Sequence, residues 1–317
     1  MKKIIGILVG VSFCAVNVTA QGVLELPADA RSAGMGEVCR AVSANTAAVF
    51  QNASLIAFTT DKVGVGYGYT PAFSHLQDGY RLHTIGGFVK LGKNHGLTAG
   101  FRSYRLPESE QTGQDGVVSR IAKPGEWALE AGYFYEVIKN LSLSVNLSYV
   151  SSDLDVEGID AGDAFCFDFG ASYRQGLSWM NGRAAWTTGL SLKNIGSKLN
   201  YGEGLKSSLP GLCSVGGALY LPFSENHVLE CGVDIDYLLP SETKGLQGSI
   251  GAEYTFLKHG LLRAGYHLAD EDKGYSNYGS VGCGVRFFHL QGDFAYLLAG
   301  DESPMKNMWQ VSVGFTF

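Results

Sequence analysis

Charge is scarce in this chain. Asp, Glu, Lys and Arg make up 17% of its 317 residues, below the roughly one quarter usual in soluble proteins. Proline is scarcer still, with 8 residues. The formal net charge of −6 gives no basic face for a nucleic-acid partner. Six cysteines are present, and the five beyond residue 20 cannot all pair. No CxxC occurs, which argues against a metal knuckle, so no cofactor or metal is expected. GxSxG, HExxH, Walker and helix-opening GxGxxG patterns are also missing. The run Gly64-Val65-Gly66-Tyr67-Gly68 alternates as a strand does and does not read as a phosphate loop. The expectation is a protein that is not an enzyme. Beyond residue 20, no apolar run is long enough for a membrane helix.

What is abundant is glycine, tyrosine and period-two alternation. There are 43 Gly and 16 Tyr, and the 45% hydrophobic content excludes a disordered chain. The first twenty residues stand apart. Lys2 and Lys3 precede the apolar run Ile4 to Val16, and Val18-Thr19-Ala20 supplies small residues at −3 and −1 of a cleavage site before Gln21. Residues 1–20 are therefore expected to be an export signal, the alternative being a signal anchor.

From residue 61 onward, apolar and polar residues alternate in segments separated by turn-forming residues. Trp309, Val311, Val313, Phe315 and Phe317 share one face, and Gln310, Ser312, Gly314 and Thr316 the other. Leu141 to Tyr149 and Leu229 to Tyr237 repeat the pattern. Strands are expected near 62–72, 80–91, 95–106, 126–138, 140–151, 162–175, 183–194, 211–222, 227–238, 247–257, 260–268, 277–288, 290–298 and 308–317. A soluble sandwich also alternates, but here Glu130, Asp168, Glu230, Asp234, Asp236, Glu253, Arg263, Arg286 and Asp293 fall mid-strand on the small or polar face. The opposite face is a broad apolar band with Tyr and Trp near its ends. Hydrocarbon offers no hydrogen bonds, so such a sheet must close on itself. The fold class expected is all-β: a transmembrane antiparallel barrel of about fourteen strands over 61–317, in contact with outer-membrane lipid. Cys213, Cys231 and Cys283 fall on its apolar face. Short turns near Gly92–Asn94, Ile138–Asn140, Lys258–Gly260 and His289 should face the periplasm, and the longer loops the outside. The glycines of Ser280 to Gly284 are a candidate bulge.

Residues 21–60 do not alternate. The Ala-rich stretch Ala41 to Val49 has helical propensity, for one to three turns, with Ser43 or Asn45 as cap. The segment has two natural places: loose in the periplasm, or folded into the lumen as a plug. In the lumen, Arg31 would pair with inward carboxylates such as Asp234 or Asp236, and Glu230, Arg263 and Arg286 would complete a paired network. The alternative is that Asp29 and Arg31 only cap local turns.

The stretch LPADARSAGMGEVCRAVSANTAAVFQNAS resembles the N-terminal signature of the PorV/PorQ family, FadL-like outer-membrane proteins found mainly in the Bacteroidetes. Ala30, Arg31, Gly34, Met35 and Gly36 match its first part, and Asn45 stands where Asp is usual. Ala48 and Asn52 also match, while Ala53-Ser54 replaces the usual Pro-Ala. The segments LSLKNIGSKLNYGE and LLRAGYHLADEDKGYSNYGSVGCGVRF and the closing MWQVSVGFTF are similar as well. The resemblance implies a lumenal hatch fixed by Asp29, Arg31, Gly34, Met35, Gly36, Asn45 and Asn52. It also implies contact with type IX secretion or surface-attachment proteins or the C-terminal domains of their cargo. For more distant FadL relatives it implies passage of hydrophobic small molecules.

Overall fold

The computed structural model of the chain describes residues 22–112, 118–202, 204–241 and 244–317. The expected export signal, residues 1–20, lies outside the described residues. One sheet contains sixteen strand segments, of which Leu199–Asn200 and Lys206–Ser207 form only a two-residue outlying hairpin. The remaining fourteen form the wall, numbered in chain order. They are β1 Val63–Pro71, β2 Arg81–Lys90, β3 His95–Arg105, β4 Gly125–Ile138, β5 Leu141–Asp153, β6 Gly162–Leu177 and β7 Ala184–Gly196. The second half is β8 Leu212–Pro222, β9 His227–Leu238, β10 Gly245–Phe256, β11 Gly260–Leu268, β12 Tyr278–Phe287, β13 Leu290–Ala299 and β14 Trp309–Thr316. Each pairs antiparallel with its neighbour in sequence, and β1 pairs with β14, so the ring is closed.

Closure and alternation have one cause. Every wall strand finds a partner on both sides, so no bare edge meets lipid. On β5, Leu143, Val145 and Leu147 project outward and stay exposed, whereas Ser142, Asn146 and Ser148 are buried inside. On β14, Val311, Val313 and Phe315 are outside and Gln310 is 1% exposed. Cys213 and Cys283 are exposed with the outer face, while Cys39 and Cys166 are buried. No helix among the described residues is long and apolar enough to cross a membrane.

Both ends of the barrel wall meet at one rim, where the amides of Lys62 and Val63 donate to the Phe317 carbonyl at 2.6 and 2.8 Å. The expected short turns lie at this rim. Asn140 adopts φ 73°, and Leu257 and Lys258 adopt φ 53° and 66°, the left-handed pair of a tight hairpin. The opposite rim carries the long loops. The loop after β3 contains a hairpin of Ser109–Thr112 with Val118–Ala122 that sequence reading did not separate. Strands β4 to β7 run 13–16 residues, past the expected spanning length, because their ends continue into these loops. The expected bulge at Ser280 to Gly284 is absent: β12 keeps unbroken register with both neighbours. The register shifts fall at Glu136/Ile138 and at Phe167/Phe169.

Candidate functional site

The residues of interest line the inside of the barrel. Residues 22–58 run through the lumen, with one-turn helices α1 Gly22–Glu25 and α2 Ala30–Gly34 and two 3-10 turns, Ala48–Phe50 and Ala53–Phe58. The α-helix expected over Ala41 to Val49 is not formed. The segment instead stays irregular because its carbonyls and amides are taken up by side chains of the wall. Ser43 is no cap: its amide and hydroxyl both donate to Glu230 Oε1 at 2.8 Å. Asn45 accepts from the Ala47 amide at 3.0 Å and donates to Asp29, so it braces a turn.

Charge sets the first attachment. Glu230 on β9 and Glu253 on β10 are directly opposite across the ladder, a repulsive pairing on a buried face. Arg263, opposite Glu253 on β11, contributes one cation at 2.6 Å. Arg31 contributes the second: Nη2 donates to Glu230 at 2.8 Å, and Nε to Glu253 at 2.9 Å. Its Nη1 donates to the Ser43 carbonyl at 2.5 Å, tying the segment to itself. Burial pulls the Arg31 pKa down, but Glu253 and then Glu230 outweigh it, so the guanidinium stays charged. Arg263 also reaches Asp293 at 2.8 Å.

This corrects the expected pairing of Arg31 with Asp234 or Asp236. Those carboxylates serve the next part of the segment. Asp234 Oδ2 accepts the amides of Cys39 and Arg40 at 2.7 and 2.9 Å, and Asp236 faces the Arg40 guanidinium at 3.4 Å. Arg40 escaped sequence reading, although it is a second basic residue in the same small-residue stretch. Arg286, expected in the network, is not in it. It is exposed near the short-turn rim and donates to Gln291 at 2.9 Å. Asp29 is held locally by Ser32 Oγ, Asn45 and Gln51, and the backbone of α2 begins immediately after it. The local-capping alternative thus describes Asp29 in part and Arg31 not at all.

Glycine sets the second attachment. Gly232, Gly251 and Gly265 stand side by side across β9, β10 and β11. Added Cβ atoms on Gly251 and Gly265 would run into the Met35 backbone, and one on Gly232 into Val38. Gly34 lies against Gly282 of β12, where a Cβ would come within 3.2 Å of Cα. Gly36 has φ 65° and faces the Tyr266 amide, so both its conformation and its space require glycine. Asn52 donates to the Arg40 carbonyl at 2.9 Å and to Ser172 Oγ at 3.1 Å, and accepts from Ser54. Ala53-Ser54, in place of the Pro-Ala usual in the family, therefore still opens a turn, with Asn52 immediately before it.

Two cavities flank the segment. One of about 790 Å³ opens toward the long loops and is lined by Leu24, Leu26, Tyr80, Tyr104, Leu106 and Met305 above a charged floor. The other, of about 640 Å³, opens toward the short-turn rim and has a mixed polar and apolar lining. In the first, burial, then Glu126 and Glu37, pushes the Glu25 carboxyl up to about 7. Among the described residues, no group of three or more His, Cys, Asp or Glu is placed to hold a metal ion.

The sequence model of the family described as type IX secretion system protein PorV matches residues 14–244. The chain belongs to the PorV family. The match takes in the lumenal segment and β1 to β9, so the Arg31 and Arg40 contacts with β9 lie within it and Arg263 beyond it. The fold is similar to the Pseudomonas putida toluene transporter TodX, at 14% identity and a TM-score of 0.60, covering 93% of this chain and 98% of that one. It is also similar to the Ralstonia pickettii toluene transporter TbuX, at 11% identity and a TM-score of 0.57, covering 91% and 96%. A Pseudomonas aeruginosa FadL homologue aligns at 11% identity and a TM-score of 0.50, covering 92% and 98%. No curated protein matches the sequence. Family and fold are those of bacterial outer-membrane barrels, and this PorV-family chain is one.

Proposed function

We propose that this barrel acts in or beside type IX secretion or surface attachment through protein contacts, with residues 22–58 as a fixed lumenal plug. Family membership over residues 14–244 is the observation that carries the reading. The physical support is the density of attachment. Arg31, Arg40, Asn52 and the glycine cradle hold the plug to β6 and to β9 to β12, so the barrel presents a fastened interior with loops at one rim. Partners would be secretion-system proteins or the C-terminal domains of cargo. The test is copurification from native membranes together with type IX export in a deletion strain. Recovery of secretion components and loss of surface-attached cargo are expected. No such partner, with export unchanged, would overturn the reading.

A second reading rests on the larger cavity. Its apolar lining and volume of about 790 Å³ suit a hydrophobic small molecule, the class named for TodX and TbuX. Titration of the purified protein with an environment-sensitive hydrophobic dye, displaced by toluene, tests it. Absence of saturable binding counts against it.

A further inference from the structure

We propose that the lumen is a shut two-chamber path for small cations, and that the phenyl ring of Phe50 is its gate. This goes beyond the contact role above and does not depend on it. The loop-side and rim-side cavities have two lining residues in common, Ala28 and Phe50. Between the chambers, then, stands a septum one or two side chains thick. Neither residue's backbone is free to move. Thr84 Oγ1 donates to the Ala28 carbonyl at 2.7 Å. Lys193 Nζ donates to the Phe50 carbonyl, and Asn146 Nδ2 to the Val49 carbonyl at 2.9 Å.

The ring, unlike the backbone beside it, is held by packing and one cation–π contact. It lies on a notch made by Gly86 and Gly100, neighbours across β2 and β3. Added Cβ atoms there would come within 2.8 and 2.5 Å of its edge. The Arg102 guanidinium, held by Glu130 at 2.9 Å, caps the ring at 4.9 Å from its centroid. An apolar ring across the passage between the two chambers blocks ions by excluding their water. Truncated to a methyl, it frees room for about two to three waters, at about 30 Å³ each. Charge selects what would pass. The rim-side chamber is lined by six carboxylates against three basic side chains, Arg31, Lys258 and Arg286, with Arg263 as a fourth cation behind Glu253 and Asp293. That excess of negative charge favours cations.

The experiment is planar-bilayer recording of the purified full chain in KCl. Phe50→Ala leaves the carbonyl anchors and the Arg102–Glu130 pair intact, so the barrel should fold, checked by the mobility difference between unheated and boiled samples on gels. The expected result is at least about tenfold more steady current than the native protein, as discrete steps. In a KCl gradient the reversal potential should shift toward that of potassium. Gly100→Ala provides a second route, because its new methyl meets only side-chain atoms, of Phe50 and Val49, and must displace the ring. Current should rise there too. A folded Phe50→Ala or Gly100→Ala protein that stays as shut as the native one, or a pore that selects chloride, would overturn the proposal.

Discussion

Replacement of Arg31 by alanine addresses the attachment of the lumenal segment most directly. The side chain makes three bonds of 2.8–3.1 Å to two buried carboxylates. Removing it leaves Glu230 with only the Ser43 amide and hydroxyl, and Glu253 with only Arg263. Breaking a buried ion pair from one side costs about 3–5 kcal/mol, mostly from the stranded charge. At about 1.36 kcal/mol per factor of ten, the ratio of released to docked segment rises roughly two hundred- to five thousand-fold. Amide hydrogen exchange over residues 28–45 reads that ratio as lost protection, while exchange in the wall strands should hardly change. Single-channel leakage should rise with it. The double variant Arg31→Ala/Glu230→Gln should lose less than the single one, because the unpaired carboxylate is then neutral. Unchanged protection over 28–45 in a folded Arg31→Ala barrel would refute the reasoning.

Three further outcomes follow from the same geometry. The Glu25 carboxyl, raised to about 7 by burial first and then by Glu126 and Glu37, keeps its proton when docked and loses it near 4.5 when released. Docking of α1 is therefore strongest below about pH 4.5 and weakens as pH climbs to about 7, and Glu25→Gln should reduce that dependence in exchange of residues 22–28, leaving the part due to Glu126, which accepts the Val23 amide. Gly36→Ala should destabilise the plug more than Gly34→Ala, since it faces both φ 65° and a backbone atom at 2.5 Å, against a Cα at 3.2 Å for Gly34; exchange over 28–45 compares the two. Asn52→Ala strands the Arg40 carbonyl, while Ser172 keeps Ser54 as a partner, and should cost about 1–3 kcal/mol, seen as a lower denaturation midpoint with the spectrum of the folded barrel unchanged.

The wall was legible in the sequence because strand periodicity is local. An outward Leu143 and an inward Ser142 differ by one residue, and no distant information is needed to separate them. Length and parity of strands then followed from the turns. The lumen was not legible in the same way. Its partners come from opposite ends of the chain, such as Arg31 with Glu253, and nothing local says which of several inward carboxylates a given cation will meet. The expected Arg31–Asp234 contact failed for that reason, and Arg40 took Asp236. Arg286 has the right phase but lies exposed near the rim, where it donates to Gln291 rather than to the lumenal segment.

The sequence by itself determined the class of fold: a two-faced ribbon placed among lipids must close, because hydrocarbon leaves no peptide group unpaired without cost. It also marked residues 21–60 as different from the wall. Tertiary structure alone decided where that segment sits, since registry between strands lines up Gly232, Gly251 and Gly265 into a groove and Glu230 and Glu253 into a socket. Those alignments are properties of neighbouring strands in space, and one chain position cannot encode them without its partners.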